Sequence, residues 1–243
     1  MFGKKNALIG RAKSLFRIGR NRANYEVNGK YNNFYPRVRV PHDEKWFVEV
    51  IENYGLQVPD YLPLEKLLLI EEDARDNVAS LIYPHHRLLN VIDADAGMGV
   101  FTAMSLRYNN AGFIFLLEPS ASTELFDFLA TNFAEKRTTV FHYAAGKSIS
   151  QKNWDAARVR HIDRYSWKDI GLIRISQRLN ACDVIDGASK LLHSARPDVL
   201  VQSYSAERDW ESLLPASYSL ILSSNSGRTF SGREIFSFLY STG

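Results

Sequence analysis

The chain has 243 residues, 45% of them hydrophobic and 23% charged, with a formal net charge of +3 and one cysteine. That length and apolar content bury one sizeable core, and so small a net charge excludes a chain that coats nucleic acid along its whole surface. Cys182 alone excludes an intramolecular disulfide and a multi-cysteine metal site, and no apolar run reaches the ~20 residues of a membrane-spanning helix.

The expected partition is a basic arm and connector over 1–40, a helical lead-in over 41–87 and one main domain over 88–243. Residues 1–25 carry Lys4, Lys5, Arg11, Lys13, Arg17, Arg20 and Arg22, with no acid before Glu26. As a helix, Leu8, Ala12 and Leu15 would share a stripe roughly opposite Lys13, Arg17 and Arg20. Three readings stay open: a solvated arm, an interfacial helix on anionic lipid or an acidic partner, and an organelle transit peptide. Residues 1–22 are therefore the expected contact with an anionic surface. The chain otherwise reads as soluble and cytoplasmic, with membrane-peripheral placement or organelle import open through the arm. Asn24 to Pro41, with Tyr25, Tyr31, Phe34 and Tyr35, reads as an extended connector. His42-Asp43 can cap a helix from Glu44 to Tyr54, ended by Gly55. Pro63 opens a second, Leu64 to Ile82, ended by Tyr83-Pro84.

From Leu88 onward apolar strands alternate with helical stretches, which predicts an α/β fold with a doubly wound, mostly parallel sheet. The expected elements are strand 88–93, helix 99–108, strand 112–118, helix 121–134 and strand 138–144. Strand 169–175, helix 182–193 and strand 197–203 follow, with a polar connection over Ser148 to Arg160 and a helical turn near Trp154. Tyr218 to Ser223 and Ile235 to Tyr240 form a hairpin-like pair that adds an antiparallel strand, for about seven strands with Leu88 to Asp93 central.

The most informative stretch is LLNVIDADAGMGVFT, Leu88 to Thr102. An apolar strand runs into a turn with Gly97 and Gly99 and then into a helix, so the helix N-terminus can face a ligand. The next strand, Phe113 to Leu117, ends on Glu118, an acceptor for the hydroxyl pair of a ribose. Two glycines near a strand end also suit a plain turn; Asp93 can cap its own turn, and Glu118 can be a solvated strand end.

VIDADAGMGVFT followed by FLLEPS resembles the FkbM-type S-adenosylmethionine-dependent methyltransferases, whose pattern is close to V-x-D-x-G-A-N-x-G-x-x-T and then F-E-P. DIGLIRISQRLNACDVIDGASKLLHSARPDVLVQSY (169–204) is similar to the family's D-L-I-K-I-D-V-E-G-x-E-x-x-V-L-x-G-A and R-P-x-I-x-x-E. The resemblance covers about Leu88 to Tyr204. It implies a seven-stranded class I methyltransferase sheet of Rossmann-like type with an N-terminal helical extension, S-adenosylmethionine as cofactor, and a sugar or other small hydroxyl acceptor. Asp93, Asp95, Gly97, Gly99, Glu118 and His142 fall at the cofactor positions; Asp163 and Ser176 are the candidates for catalysis.

The sequence departs from that pattern. Asp95 stands at the family's first glycine, where its carboxylate would face that of the cofactor. At ~4 Å and an effective dielectric of about 20 this repulsion is about 4 kcal/mol, close to three decades of affinity, unless Asp95 turns away or pairs with Lys or Arg. Gly97 replaces an asparagine, Ser176 an aspartate, Arg178 a glutamate, Leu179 a glycine, and Gln202 the glutamate that ends the next strand. Work as a general base on a hydroxyl needs a proton acceptor, which Arg178 and Gln202 cannot be and which a lone serine is poorly.

Other constellations are thin. His85-His86 lacks partners at metal-ligand spacing, and His161-x-Asp163 is at most half a metal site, so no metal is expected. Asp163 alternatively caps a turn. Cys182, at a helix start, is either an acidified thiol or a packed one. Two functions remain: an active O-methyltransferase, or a methyltransferase-fold protein that has lost its chemistry and acts as a binding or assembly subunit, with a protein partner in place of the acceptor. The motif damage favours the second.

Overall fold

The computed structural model describes residues 56–59, 62, 66, 70, 73, 90–108, 112–132, 134–146, 159–228 and 234–242. The basic arm over 1–22, the aromatic connector, the helix expected over 44–54, His85-His86 and the turn expected at Trp154 lie outside these residues. Of the second lead-in helix, Lys66, Ile70 and Asp73 are described, and all three are helical.

The chain alternates as β1 (Asn90–Ala94), α1 (Val100–Tyr108), β2 (Ile114–Leu117), α2 (Thr123–Thr131) and β3 (Thr138–Phe141). Two short strands, β4 (Ala144–Ala145) and β5 (Val159–Arg160), precede β6 (Ile170–Ile175), α3 (Ala181–Asp186), α4 (Ser189–Ser194) and β7 (Asp198–Ser203). The chain closes with β8 (Ser219–Arg228) and β9 (Glu234–Ser241). The main sheet has seven strands in the order β3-β2-β1-β6-β7-β9-β8. The five strands from β3 to β7 are parallel, and β9 runs antiparallel to both of its neighbours. This is a doubly wound, mostly parallel sheet, with β1 in its interior and the C-terminal pair antiparallel, as expected.

Its strands are buried on both sides because each alternates its apolar side chains between two cores. Val91, Leu172 and Leu200 face one core, which also takes Met104 of α1, Phe128 of α2, and Leu56, Val58, Leu62 and Ile70 of the lead-in. Ile92, Ile173, Val199 and Val201 face the other, closed by Val184, Ile185, Leu191 and Leu192 of α3 and α4. The lead-in is pinned at the end of α2, where Gln57 N donates to Asn132 Oδ1 (2.7 Å) and Asn132 Nδ2 donates to Gln57 O (2.8 Å).

Several boundaries differ from expectation, among them β8, which runs five residues past the expected Ser223 to Arg228. The helix over 182–193 is two helices, because Gly187 and Ala188 turn the chain and Asp163 caps a fresh start. Its two carboxylate oxygens accept from Lys190 N (2.7 Å) and Leu191 N (2.9 Å). The strand over 138–144 stops at Phe141; Ala144–Ala145 instead pairs in parallel with Val159–Arg160 in a separate two-stranded sheet. Helix 121–134 ends at Thr131, where Asn132 Nδ2 turns back onto Phe128 O (2.8 Å).

Candidate functional site

The strand order reverses between β1 and β6, the crevice where a doubly wound sheet receives ligands at its carboxyl edge. Strand alternation fixes what lines it. Counting by two from Val91 and Leu172, the positions on the face covered by α1 are Asp93 and Arg174, which are direct partners in the β1·β6 register. On β7 the corresponding step from Leu200 is Gln202.

These side chains form one buried row. Arg174 is 1% exposed; its Nη1 donates to Asp93 Oδ1 (2.9 Å) and to Asp95 O (3.0 Å), and its Nε donates to Gln202 Oε1 (2.6 Å). The guanidinium also lies 5.3 Å from the Phe101 ring centroid. Thr102 Oγ1 of α1 donates to Asp93 Oδ2 (2.7 Å). Burial raises the Asp93 carboxyl above the ordinary range, and the charge of Arg174 opposes that shift. Asp93 thus orients the loop at one remove, through an arginine that holds the Asp95 carbonyl.

Above this row sits the glycine turn. Asp95 takes a left-handed φ of 63°, a conformation that glycine adopts without cost and aspartate tolerates. Its Oδ2 accepts from Arg178 Nε (2.6 Å) and its carbonyl from Arg178 Nη2 (3.2 Å), while Arg178 Nη1 donates to Asp73 Oδ1 (3.1 Å). Two departures noted separately in the sequence, Asp95 and Arg178, therefore neutralise each other. The repulsion reckoned for an unpaired Asp95 is offset by this pair.

Gly97 (φ 59°) carries the Arg178 guanidinium against its α-carbon, so any Cβ there would collide with Arg178 Nη2. Its N–H donates to Glu118 Oε2 (3.0 Å), and Ser120 N donates to Glu118 Oε1 (3.0 Å). Glu118 is 5% exposed; burial first, and the charge of Asp95 next, push its carboxyl up to about 7. Gly99 (φ 78°) does different work: a Cβ would come within 2.9 Å of Leu125 Cδ1 and 3.0 Å of Leu129 Cδ2. It lets α1 and α2 approach closely.

The remaining candidates lie apart from the turn. His142 is exposed just past β3, while Tyr143 turns inward and stacks on Tyr165 at 5.6 Å. Asp163 spends both oxygens on the start of α4. Ser176 is buried just past β6; its Oγ accepts from Arg178 N (3.2 Å) and donates to Gln177 Oε1 (3.4 Å), with no carboxylate or imidazole among its partners in the described residues. The Cys182 thiol is pushed up by burial and by Asp209 and Asp183, away from a reactive thiolate. No group of three or more metal-ligating side chains occurs among the described residues, and no described helix is long and apolar enough to cross a membrane.

Sequence reasoning missed two members of the site. Arg174 had a signal, a lone arginine inside the apolar strand IGLIRI. Asp73 had none that pointed here, because its partner Arg178 is 105 residues away.

No family model matches the chain, and no curated protein matches it. Similar folds occur among solved structures. Methyltransferase FkbM from Methylobacillus flagellatus is 17% identical, with 79% of this chain and 58% of that one covered at a TM-score of 0.47. Precorrin-6y C5,15-methyltransferase from Geobacter metallireducens is 12% identical over 78% and 94% of the two chains, with a TM-score of 0.48. A conserved hypothetical protein from Streptococcus pyogenes is 17% identical over 68% and 94%, with a TM-score of 0.47. At such identities the likeness is one of fold.

Proposed function

We propose that this chain is a methyltransferase-fold protein that has given up S-adenosylmethionine chemistry and works as a binding or assembly subunit. The observation that carries this reading is the use made of the carboxylates at the carboxyl edge of β1, β6 and β7. Asp93 is bound to Arg174, and Asp95 and Asp73 are bound to Arg178. Gln202 stands where an acid would be needed and accepts from Arg174. Among the described residues Ser176 has no carboxylate or imidazole as a hydrogen-bond partner, and Asp93, Asp95 and Asp73 are engaged by arginines rather than turned to an acceptor hydroxyl whose proton they could take.

S-adenosylmethionine does not fit the loop as it is folded. Glu118 and Gly97 suit a ribose and a closely approaching backbone, but the face of Gly97 is covered by Arg178. A protein partner or an anionic surface, met through residues 1–22, fits a chain whose chemistry is closed in this way. The opposing reading, an O-methyltransferase acting on a sugar or other small hydroxyl, is favoured by Glu118, which holds its place at the end of β2.

The deciding experiment is a calorimetric titration of the full chain with S-adenosylmethionine, alongside turnover of the methyl-labelled cofactor. The expected result is no binding below millimolar concentration and no turnover. Micromolar affinity together with methyl loss above the uncatalysed rate would return the chain to the enzymes.

A further inference from the structure

The glycine turn is covered by a side chain of the same molecule, and that cover is built differently from the buried row beneath it. Arg174 and Arg178 are four residues apart, yet Arg174 is fully enclosed whereas the Arg178 side chain is 21% exposed. Arg178 lies outside strand and helix, in the turn between β6 and α3. That turn is held by Leu179 N donating to Ser176 O (3.0 Å) and by Arg178 N donating to Ser176 Oγ (3.2 Å). The guanidinium can leave its seat by rotating its own torsions, without breaking a rung of the sheet.

The seat is made for a cation. It includes Asp95 Oδ2, the Asp95 carbonyl and Asp73 Oδ1, with Arg178 Nη2 lying where a Gly97 Cβ would stand. It also holds one acceptor more than Arg178 uses. Asp73 Oδ2 is buried with no hydrogen-bond partner, 3.0 Å from where a Gly97 Cβ would stand. A buried carboxylate oxygen left unsatisfied is costly, so the seat gains from any further N–H brought to it.

We propose that Arg178 is an autoinhibitory plug: its guanidinium occupies the acidic seat over Gly97, and a ligand bearing an ammonium or similar organic cation can enter the glycine turn only by displacing it. This rests on the reading above that the turn is a former cofactor site. The plug explains how Asp95 is kept in place of a glycine: the acid is one wall of the seat. It also sets the ligand class, since an anionic head such as phosphate would meet Asp73, Asp95 and Glu118 once the guanidinium had gone.

The test uses the full chain and two variants. Arg178→Met keeps the aliphatic stem and removes the guanidinium; Arg178→Ala removes both. Decarboxylated S-adenosylhomocysteine, which has an ammonium and no carboxylate, and methylthioadenosine, which has the nucleoside without the amino-acid end, are titrated by calorimetry. The expected result is at least tenfold tighter binding of the decarboxylated, cationic nucleoside to Arg178→Met than to wild type, with methylthioadenosine unchanged. Arg178→Ala should lose thermal stability and regain it in millimolar methylguanidinium, but not in sodium chloride at equal ionic strength. A folded Arg178→Met that gains nothing, an equal gain for methylthioadenosine, or an Arg178→Ala that methylguanidinium does not restore each overturns the plug. Methyl loss from S-adenosylmethionine bound to Arg178→Met would instead overturn the lost-chemistry reading and leave the plug standing.

Discussion

Replacing Arg174 by methionine tests the buried row directly. The substitution keeps an apolar stem of similar length and removes the cation that binds Asp93 Oδ1, Asp95 O and Gln202 Oε1. Both partners of the ion pair are enclosed, at 1% and 0% side-chain exposure, so water cannot replace the lost contacts. Stranding one charge of a buried pair costs about 3–5 kcal/mol, and for a chain of this size each kcal/mol moves Tm by about 2–4 °C. Arg174→Met should therefore melt about 6–20 °C below wild type at pH 8, read by urea unfolding and by thermal scanning. The deficit has a defined pH dependence. Burial already raises the Asp93 carboxyl against the pull of Arg174; without that pull it rises further. A folded-state pKa above the unfolded one means that the fold is favoured where the group is protonated, so the deficit shrinks as pH falls towards 5. Asp93→Asn added to Arg174→Met removes the stranded charge and should recover more than about 1.5 kcal/mol of the loss. A cost under about 1 kcal/mol at pH 8, or a double variant whose losses simply add, would refute the pairing as the element that holds these strand ends.

Four further outcomes follow from the same geometry. Glu118, raised to about 7 from 4.5, holds its proton longer folded than unfolded, so it withdraws up to about 3 kcal/mol of stability as pH rises between those values; Glu118→Gln should flatten that part of the unfolding profile. Gly99→Ala combines a φ of 78° with a Cβ against Leu125 and Leu129, and should cost about 1–3 kcal/mol in urea unfolding. Asp163→Ala removes a cap that serves two N–H groups of α4 and should cost about 1–2 kcal/mol while leaving any nucleoside affinity unchanged, which a catalytic Asp163 would not. Asp95→Gly relieves the left-handed residue but leaves Arg178 on Asp73, so it should change S-adenosylmethionine affinity by less than tenfold, whereas adding Arg178→Met should raise it further; a larger gain from Asp95→Gly alone would restore simple repulsion as the explanation.

What the sequence made legible was whatever a local pattern could carry. The runs NVIDA at Asn90–Ala94 and GLIRI at 171–175 are apolar enough to be interior parallel strands, and the Gly97–Gly99 turn leads into α1 as its composition implies. The antiparallel C-terminal pair was readable from two apolar runs around a turn-rich stretch. The features that escaped depend on partners distant in the chain. The break between α3 and α4 needs Asp163, 27 residues before Lys190, and nothing in 182–193 apart from Gly187 signals it. The strands β4 and β5 have two residues each, too few for any periodicity. Gly99 was expected to open the backbone to a ligand, and its neighbours in space are two leucines of α2 instead.

The candidate site shows the same limit in a sharper form. Read singly, Asp95 and Arg178 are two losses: an acid where backbone should lie open, and a base where an acid should be. Each alone would put an unpaired charge beside a buried turn, at a cost of several kcal/mol. Together, with Asp73 from the lead-in, they form an acid–base–acid cluster over the same glycine in which Asp73 Oδ2 is left over. A second exchange lies beneath it, where Gln202 in place of an acid leaves Arg174 with one carboxylate, Asp93, and two neutral acceptors, Gln202 Oε1 and the Asp95 carbonyl. That substitution matters for charge, because a second carboxylate beside Asp93 would add a buried negative charge to a row that holds a single cation. The departures from the methyltransferase pattern are thus mutually consistent as a structural network. They tie the crevice together through the chain's own arginines, Arg174 on Asp93 and Arg178 on Asp95 and Asp73.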